Sequence, residues 1–322
     1  MRFDSRGLVS TYLSEWMPLN DVTRQSVAGY VWGGSNSGGN LSSNNKLTYA
    51  TELITNPSKA LTAAVNQPTG FADSGVAGYA AGGQGVSFTN SIAKLTFPAE
   101  VKSDLGSTLT TVLAYAASHS NSGVAGYVLG GYDNTFTSYD TVQRIAFPGD
   151  TKTVLVAVLT AANETFQGFA NYGVAGYTGG GSGTNAQRVN KLAFPAETMS
   201  NLGNILTGNC INTTGIQNKG VAGYFAGGSA GATYFTRFDK IAFPSDTKST
   251  ISAVLATGAE GRGGMSDSGV AGYSVGGIIS GGSTLDTVEK LTFATTEVCT
   301  TLGTVLTVAR RYVANFSDEG VF

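Results

Sequence analysis

The chain of 322 residues holds one histidine, His119, and two cysteines, Cys210 and Cys299. One histidine cannot assemble a multi-histidine metal centre. Ser-His-Asp and Cys-His arrangements would all have to recruit that same residue, and no Gly-x-Ser-x-Gly motif accompanies it. Two thiols are too few for a disulfide framework or a cysteine zinc site, and they read as ordinary half-buried thiols. Charge is scarce too, at 12% with a net of −2, against roughly 25% in an average domain. The basic residues are scattered, so nucleic acid is not expected as a partner. No apolar run approaches the ~18 residues of a membrane span, so no membrane insertion is expected. The segment Met1–Gly7 carries Asp4 early and no apolar core follows it, which predicts no signal peptide. Without such a signal, the sequons at Asn163, Asn212 and Asn315 are treated as coincidence. Gly-x-x-x-x-Gly-Lys is missing and Gly181-Ser182-Gly183 is a lone fragment, so no nucleotide or other cofactor is expected.

Glycine is abundant, with 45 residues. It has no period of three, which excludes collagen. The apolar fraction of 41% excludes a charge-rich disordered chain. The glycines belong to a longer repeat. Val-Ala-Gly-Tyr occurs six times, with its tyrosine at Tyr30, Tyr79, Tyr127, Tyr177, Tyr224 and Tyr273, at spacings of 49, 48, 50, 47 and 49. A glycine pair follows each tyrosine after two residues, from Gly33-Gly34 to Gly276-Gly277. A second string then reads basic, Leu or Ile, small, aromatic, as in Lys94 to Phe97 and Arg144 to Phe147. Four copies continue with Pro98, Pro148, Pro195 or Pro244, and an apolar segment follows, such as Val154–Leu159.

Each unit predicts four short strands. The Leu/Ile and the aromatic of the second string lie two apart and share one face of a strand. Pro-x-Asp/Glu suits a tight turn, and so does the Asp/Asn-x-Gly ahead of each later Val-Ala-Gly-Tyr. No unit contains a convincing amphipathic helix. Four-stranded units at this period predict an all-β fold, a single β-propeller over residues 1–322. The units begin near 26, 75, 123, 173, 220 and 269. The apolar strand ending in Gly-Gly, the variable loop and the aromatic-bearing strand resemble kelch repeats. The kelch tryptophan after the aromatic is missing, since Trp16 and Trp32 lie elsewhere, so the resemblance is to a divergent kelch-like propeller.

Six units leave residues over at both ends. Asn315–Val321 repeats the register of Phe71–Val76, and Leu8–Leu13 suits an outer strand. The expectation is seven blades, the last shared by residues 315–322 and 1–13; the alternative is six blades with terminal appendages. The seven-blade closure would join the first and last blades and leave no open sheet edge.

A residue copied in every unit reads as structural. Glu52, Glu100, Asp150, Glu197 and Asp246 all lie three past the strand aromatic and count as turn residues. Asp133, Asp140, Glu164, Glu260, Asp286 and Glu289 fall in less regular places, but nothing selects a facing catalytic pair among them. His119 occupies the slot of Phe71, Phe169, Ile216, Met265 and Phe316 and reads as a core residue. No catalytic or metal-binding residue is assigned. The loops after the glycine pairs vary most. Candidate ligand- or partner-binding residues there are Phe88, Tyr132, Asp133, Asn134, Phe136, Tyr139, Tyr234 and Phe235. Aromatic rings beside short hydrogen-bonding groups suit sugars or another protein; the alternative is that they pack onto their own blades.

The Gly-Tyr-x-x-Gly-Gly and Lys-Leu/Ile-x-Phe-Pro strings also resemble propeller proteins encoded among bacteriophage tail and fibre genes. That resemblance implies a non-enzymatic virion protein in several copies, made in the host cytoplasm. Its implied partners are other tail proteins and a host cell-surface glycan. An intracellular interaction scaffold and a polysaccharide-degrading enzyme are the alternatives.

Overall fold

The computed structural model describes residues 26–106 and 108–318. Among these, the chain forms six four-stranded antiparallel sheets around one axis. Blade 2 is typical, with an inner strand Thr69–Asp73, then Ala77–Ala81, Ile92–Thr96 and an outer strand Val101–Asp104. The other inner strands are Ala117–Asn121, Phe166–Asn171, Thr214–Asn218, Gly263–Asp267 and Ala314–Ser317. The single helical element among the described residues is a 3-10 turn, Gly183–Asn185.

Among the described residues there are six blades, the alternative expectation, and no seventh. The C-terminal strand Ala314–Ser317 is the inner strand of blade 1, pairing Gly29 with Ser317 and Trp32 with Ala314. Unit 1 starts at its second strand, Ala28–Trp32, which leaves an open edge on the axis side. The end of the chain covers that edge and closes the ring. The register proposed for Asn315–Val321 thus holds as far as Asp318, but it completes blade 1 rather than starting another. Residues 1–13, and Trp16, lie outside the described residues.

Three repeated contacts join neighbouring blades. The first is steric. A Cβ on the glycine of Val-Ala-Gly-Tyr would collide with the inner-strand residue of the blade before: Gly126 with Phe71 at 2.1 Å, Gly223 with Phe169 at 1.9 Å, Gly78 with Phe316 at 2.0 Å. Glycine is therefore the socket for the neighbour's knob. His119 is one of these knobs, seated on Gly176 and wholly buried beside Tyr127 and Phe194. It is a core residue, and burial holds its pKa down to about 3.

The second contact is a stack. The strand aromatic of each blade lies on the tyrosine of the blade before, as in Tyr127–Phe194 at 5.6 Å and Tyr177–Phe243 at 5.2 Å. Tyr49 and Tyr273 close the circle at 5.1 Å. Such pairs contribute about 0.5–1.5 kcal/mol beyond their burial.

The third contact is polar. The tyrosine hydroxyl donates to the turn acid of the next blade: Tyr79 to Asp150 at 2.7 Å, Tyr127 to Glu197 at 2.9 Å, Tyr177 to Asp246 at 2.6 Å. The basic residue of the tyrosine's own blade pairs with the same carboxylate, as in Lys94–Asp150, Arg144–Glu197 and Lys191–Asp246. Lys46–Glu100, Lys240–Glu297 and Lys290–Glu52 complete six clamps. The five acids expected as turn residues are thus also clamps. Glu297 is a sixth that the sequence rule missed, because it lies four past Phe293 instead of three.

Candidate functional site

Antiparallel pairing puts the glycine pairs and the loops entering each inner strand on one face of the ring. The Asp/Asn-x-Gly and Pro turns, with the clamps, lie on the other. At the centre of the first face, the residue four before each knob has a left-handed backbone: Gln67, Tyr115, Thr165, Asn212, Gly261 and Tyr312, with φ from 50° to 62°. Each donates its N–H to the carbonyl of the one before. Tyr115 donates to Gln67 at 3.4 Å, Thr165 to Tyr115 at 3.1 Å and Asn212 to Thr165 at 2.6 Å. Gly261 donates to Asn212 at 2.9 Å, Tyr312 to Gly261 at 2.7 Å and Gln67 to Tyr312 at 2.9 Å. The result is a closed circle of six backbone hydrogen bonds around the axis. Five of its members are not glycine, and each left-handed residue costs about 1–2 kcal/mol. The circle of bonds offsets that cost and gives the mouth a stiff rim.

Two rim residues are tyrosines. Tyr115 and Tyr312 approach across the mouth to 5.8 Å between ring centroids. Tyr132 stacks on Tyr115 at 5.0 Å, Phe136 stacks on Tyr132 at 5.7 Å, and Phe88 tilts against Tyr132 at 5.6 Å. Five rings from three neighbouring blades thus form one surface. Phe136 is 77% exposed, which leaves its ring free for another molecule. The cavity under the rim is only about 20 Å³. That is room for about one water, so a larger ligand has to bind on the rings rather than beneath them.

The polar residues of the loop hold it in shape. The Asp133 carboxylate accepts from the Thr135 hydroxyl at 2.6 Å, the Thr135 N–H at 2.8 Å, the Thr137 N–H at 3.2 Å and the Tyr139 hydroxyl at 2.8 Å. The Thr135 hydroxyl bond, helped by the others, pulls its pKa down to about 2. Asp133 and Tyr139 are therefore the frame that presents Phe136, while Asn134 is exposed at the loop tip. Glu260 lies under Tyr312 and accepts from its hydroxyl at 2.6 Å, from Asn212 at 3.3 Å and from Ser229. Burial and the Glu260 charge push the Tyr312 pKa upward.

Of the eight candidate residues, the structure brings Phe88, Tyr132 and Phe136 into one cluster, framed by Asp133 and Tyr139. Tyr234 and Phe235 sit in blade 5, and no ring contact joins them to it. Phe235 lies against Arg237 at 3.7 Å and packs on the core between blades 4 and 5, as expected of an aromatic lying on its own blade. Tyr115 and Tyr312 were missed. Their signal is the shared offset of four before the knob, where the other units carry Gln, Thr, Asn or Gly.

Four of the irregular acids are engaged apart from one another: Asp133 and Glu260 as described, Glu164 accepting from Ser138, and Glu289 paired with the buried Arg262 at 2.8 Å. Among the described residues no group of three His, Cys, Asp or Glu side chains could hold a metal ion. No helix there is long and apolar enough to cross a membrane. Cys210 and Cys299 are free thiols, and burial pushes their pKa values up to about 11 and about 12.

No protein-family model and no curated protein matches this chain. Among solved structures it is similar to YjhT, with a TM-score of 0.65 at 12% identity over 87% of this chain and 97% of that one. At that identity the likeness speaks for the propeller fold alone.

Proposed function

We propose that the chain is a non-enzymatic binding protein whose aromatic mouth takes carbohydrate. The single observation that carries this reading is the five-ring surface crossing the mouth, with Phe136 exposed on a loop braced by Asp133. The C–H faces of sugars stack on such rings, and short amide and hydroxyl side chains match sugar hydroxyls. Asn134, exposed at the loop tip beside Phe136, supplies such a group. A shallow surface of this kind binds weakly, and several copies on one particle would multiply the affinity. The kelch-like and phage-tail resemblance of the repeat strings places the protein, in this proposal, in a bacteriophage tail or fibre. There it would meet a host-surface glycan and neighbouring tail proteins.

A glycan array probed with the purified chain tests the binding. Retention on a defined subset of saccharides, lost in Tyr132→Ala, is the expected result. An array with no signal overturns the carbohydrate reading. The setting is tested separately, by mass spectrometry of purified particles. A fixed low ratio to the major capsid protein is expected, and absence from every particle fraction refutes the virion assignment.

A further inference from the structure

At five of the six blade junctions a polar side chain fills the same slot, and at three of them it accepts from the loop N–H. On the third strand of the blade, one buried polar side chain reaches back to the loop arriving from the blade before. Gln143 accepts from the Thr110 N–H at 2.6 Å, Asp239 from the Thr207 N–H at 3.1 Å and Glu289 from the Ala256 N–H at 2.6 Å. Asn190 accepts from the Thr160 hydroxyl at 2.8 Å, and Asn45 donates to the Thr307 hydroxyl at 2.8 Å. All five are at most 3% exposed. In blade 2 the slot holds Ala93. Its cross-strand neighbour is Ala80, where the other blades carry Val31, Val128, Thr178, Phe225 and Ser274.

The polar task at this junction has moved outward. The in-register loop residue is Thr62, and its hydroxyl bonds Asp104, which sits opposite Ala93 on the outer strand and also pairs with Lys102. The space left behind is not refilled. A cavity of about 250 Å³ lies between blades 1 and 2, walled mostly by apolar groups, among them Leu61, Val65, Pro68 and Ala80, with Thr89, Ser91 and Asp104 also in its lining. Among the described residues, no protein acceptor meets the Thr62 N–H.

We propose that this crevice binds a small neutral molecule with a ring-sized apolar body and one hydrogen-bond-accepting oxygen, such as an aromatic amide. The walls supply the preference for an apolar body. An apolar cavity of about 150 Å³ takes up benzene, so the larger volume here accommodates a ring with a substituent. The chain's own junctions define the head group, because Gln143, Asp239 and Glu289 each place an amide or carboxylate oxygen on the N–H equivalent to that of Thr62. The Asp104 carboxylate beside Thr62 repels an anionic head and leaves the neutral one. This site is separate from the aromatic mouth and does not depend on the carbohydrate reading.

Titration of the chain with benzamide, followed by NMR, tests the proposal, with toluene as the ligand that lacks the oxygen. The expected result is saturable binding, tighter for benzamide than for toluene. Ala93→Gln copies Gln143 and Ala80→Val copies Val128, so each variant fills the crevice with what another junction already holds. Binding should fall by about tenfold or more in either variant, with an unchanged fold by circular dichroism. Two variants are used so that failure of one to fold still leaves a reading. The proposal is overturned by absence of saturable benzamide binding, by equal binding of toluene, or by binding that both variants leave unchanged.

Discussion

At the scale of the residue, one tyrosine per blade does three things. Its ring stacks on the next blade's aromatic, its hydroxyl holds the next blade's turn acid, and its neighbouring glycine accepts the previous blade's knob. Tyr127→Phe keeps the ring and removes the hydroxyl bond to Glu197. The expected loss is about 0.5–1.5 kcal/mol in denaturant unfolding. Gly126→Ala drives a methyl into Phe71. It should cost more, about 1–3 kcal/mol. His119 gives a test that depends on pH. Burial lowers its pKa from 6.5 to about 3, so below pH 6.5 the unfolded chain binds a proton that the folded chain refuses. Stability from this group is complete above about pH 6.5 and is lost as pH falls toward 3, by about 2–3 kcal/mol over the first two units. Asp267, raised to about 6 by burial and by the Asp318 charge, acts in the opposite sense, so the difference between two proteins is what isolates His119. His119→Phe copies the Phe71 and Phe169 slot and removes the titration. Its stability advantage over the parent should grow by that amount from pH 6.5 to 4.5; parallel profiles would exclude a buried neutral imidazole.

At the scale of the element, the repeat was legible because each blade solves the same packing problem with the same residues. Val-Ala-Gly-Tyr, the glycine pair and the Lys-x-x-aromatic string marked two of the four strands in every unit. The closure was not legible by counting. Asn315–Asp318 has the sequence of an inner strand in any register, and only the unpaired edge of Ala28–Trp32 decides where it goes. The clamps were half legible: the acids repeat visibly, but their partners lie about 50–70 residues away, across a junction. The account of closure predicts that a chain ending at Tyr312, without Ala314–Ser317, leaves blade 1 with an open inner edge. Its thermal transition should broaden and move down, or the protein should associate through that edge. A transition as sharp and as high as that of the full chain would mean that the strand does not close the ring.

At the scale of the whole molecule, the two faces differ in how closely they keep six-fold repetition. The face with the clamps repeats nearly without exception. The mouth face repeats in its backbone circle and departs in its side chains, with tyrosine at two of six rim positions and an aromatic loop on one blade. Candidate binding residues were legible where a loop broke the repeat, as at Tyr132 and Phe136. They were not legible where an ordinary-looking position, Tyr115 or Tyr312, gains meaning from a neighbour across the axis. The missing polar side chain at Ala93 is the same kind of departure, visible only once all six junctions can be laid over one another. The central claim is that binding belongs to the mouth face. Its most direct test is calorimetric titration of an array-selected saccharide into three proteins: the parent, Phe136→Ala at the mouth, and Val174→Ala among the exposed turns of the opposite face. The expected result is about tenfold or greater weakening in Phe136→Ala with Val174→Ala unchanged. Unchanged affinity in Phe136→Ala, or loss confined to Val174→Ala, would contradict it.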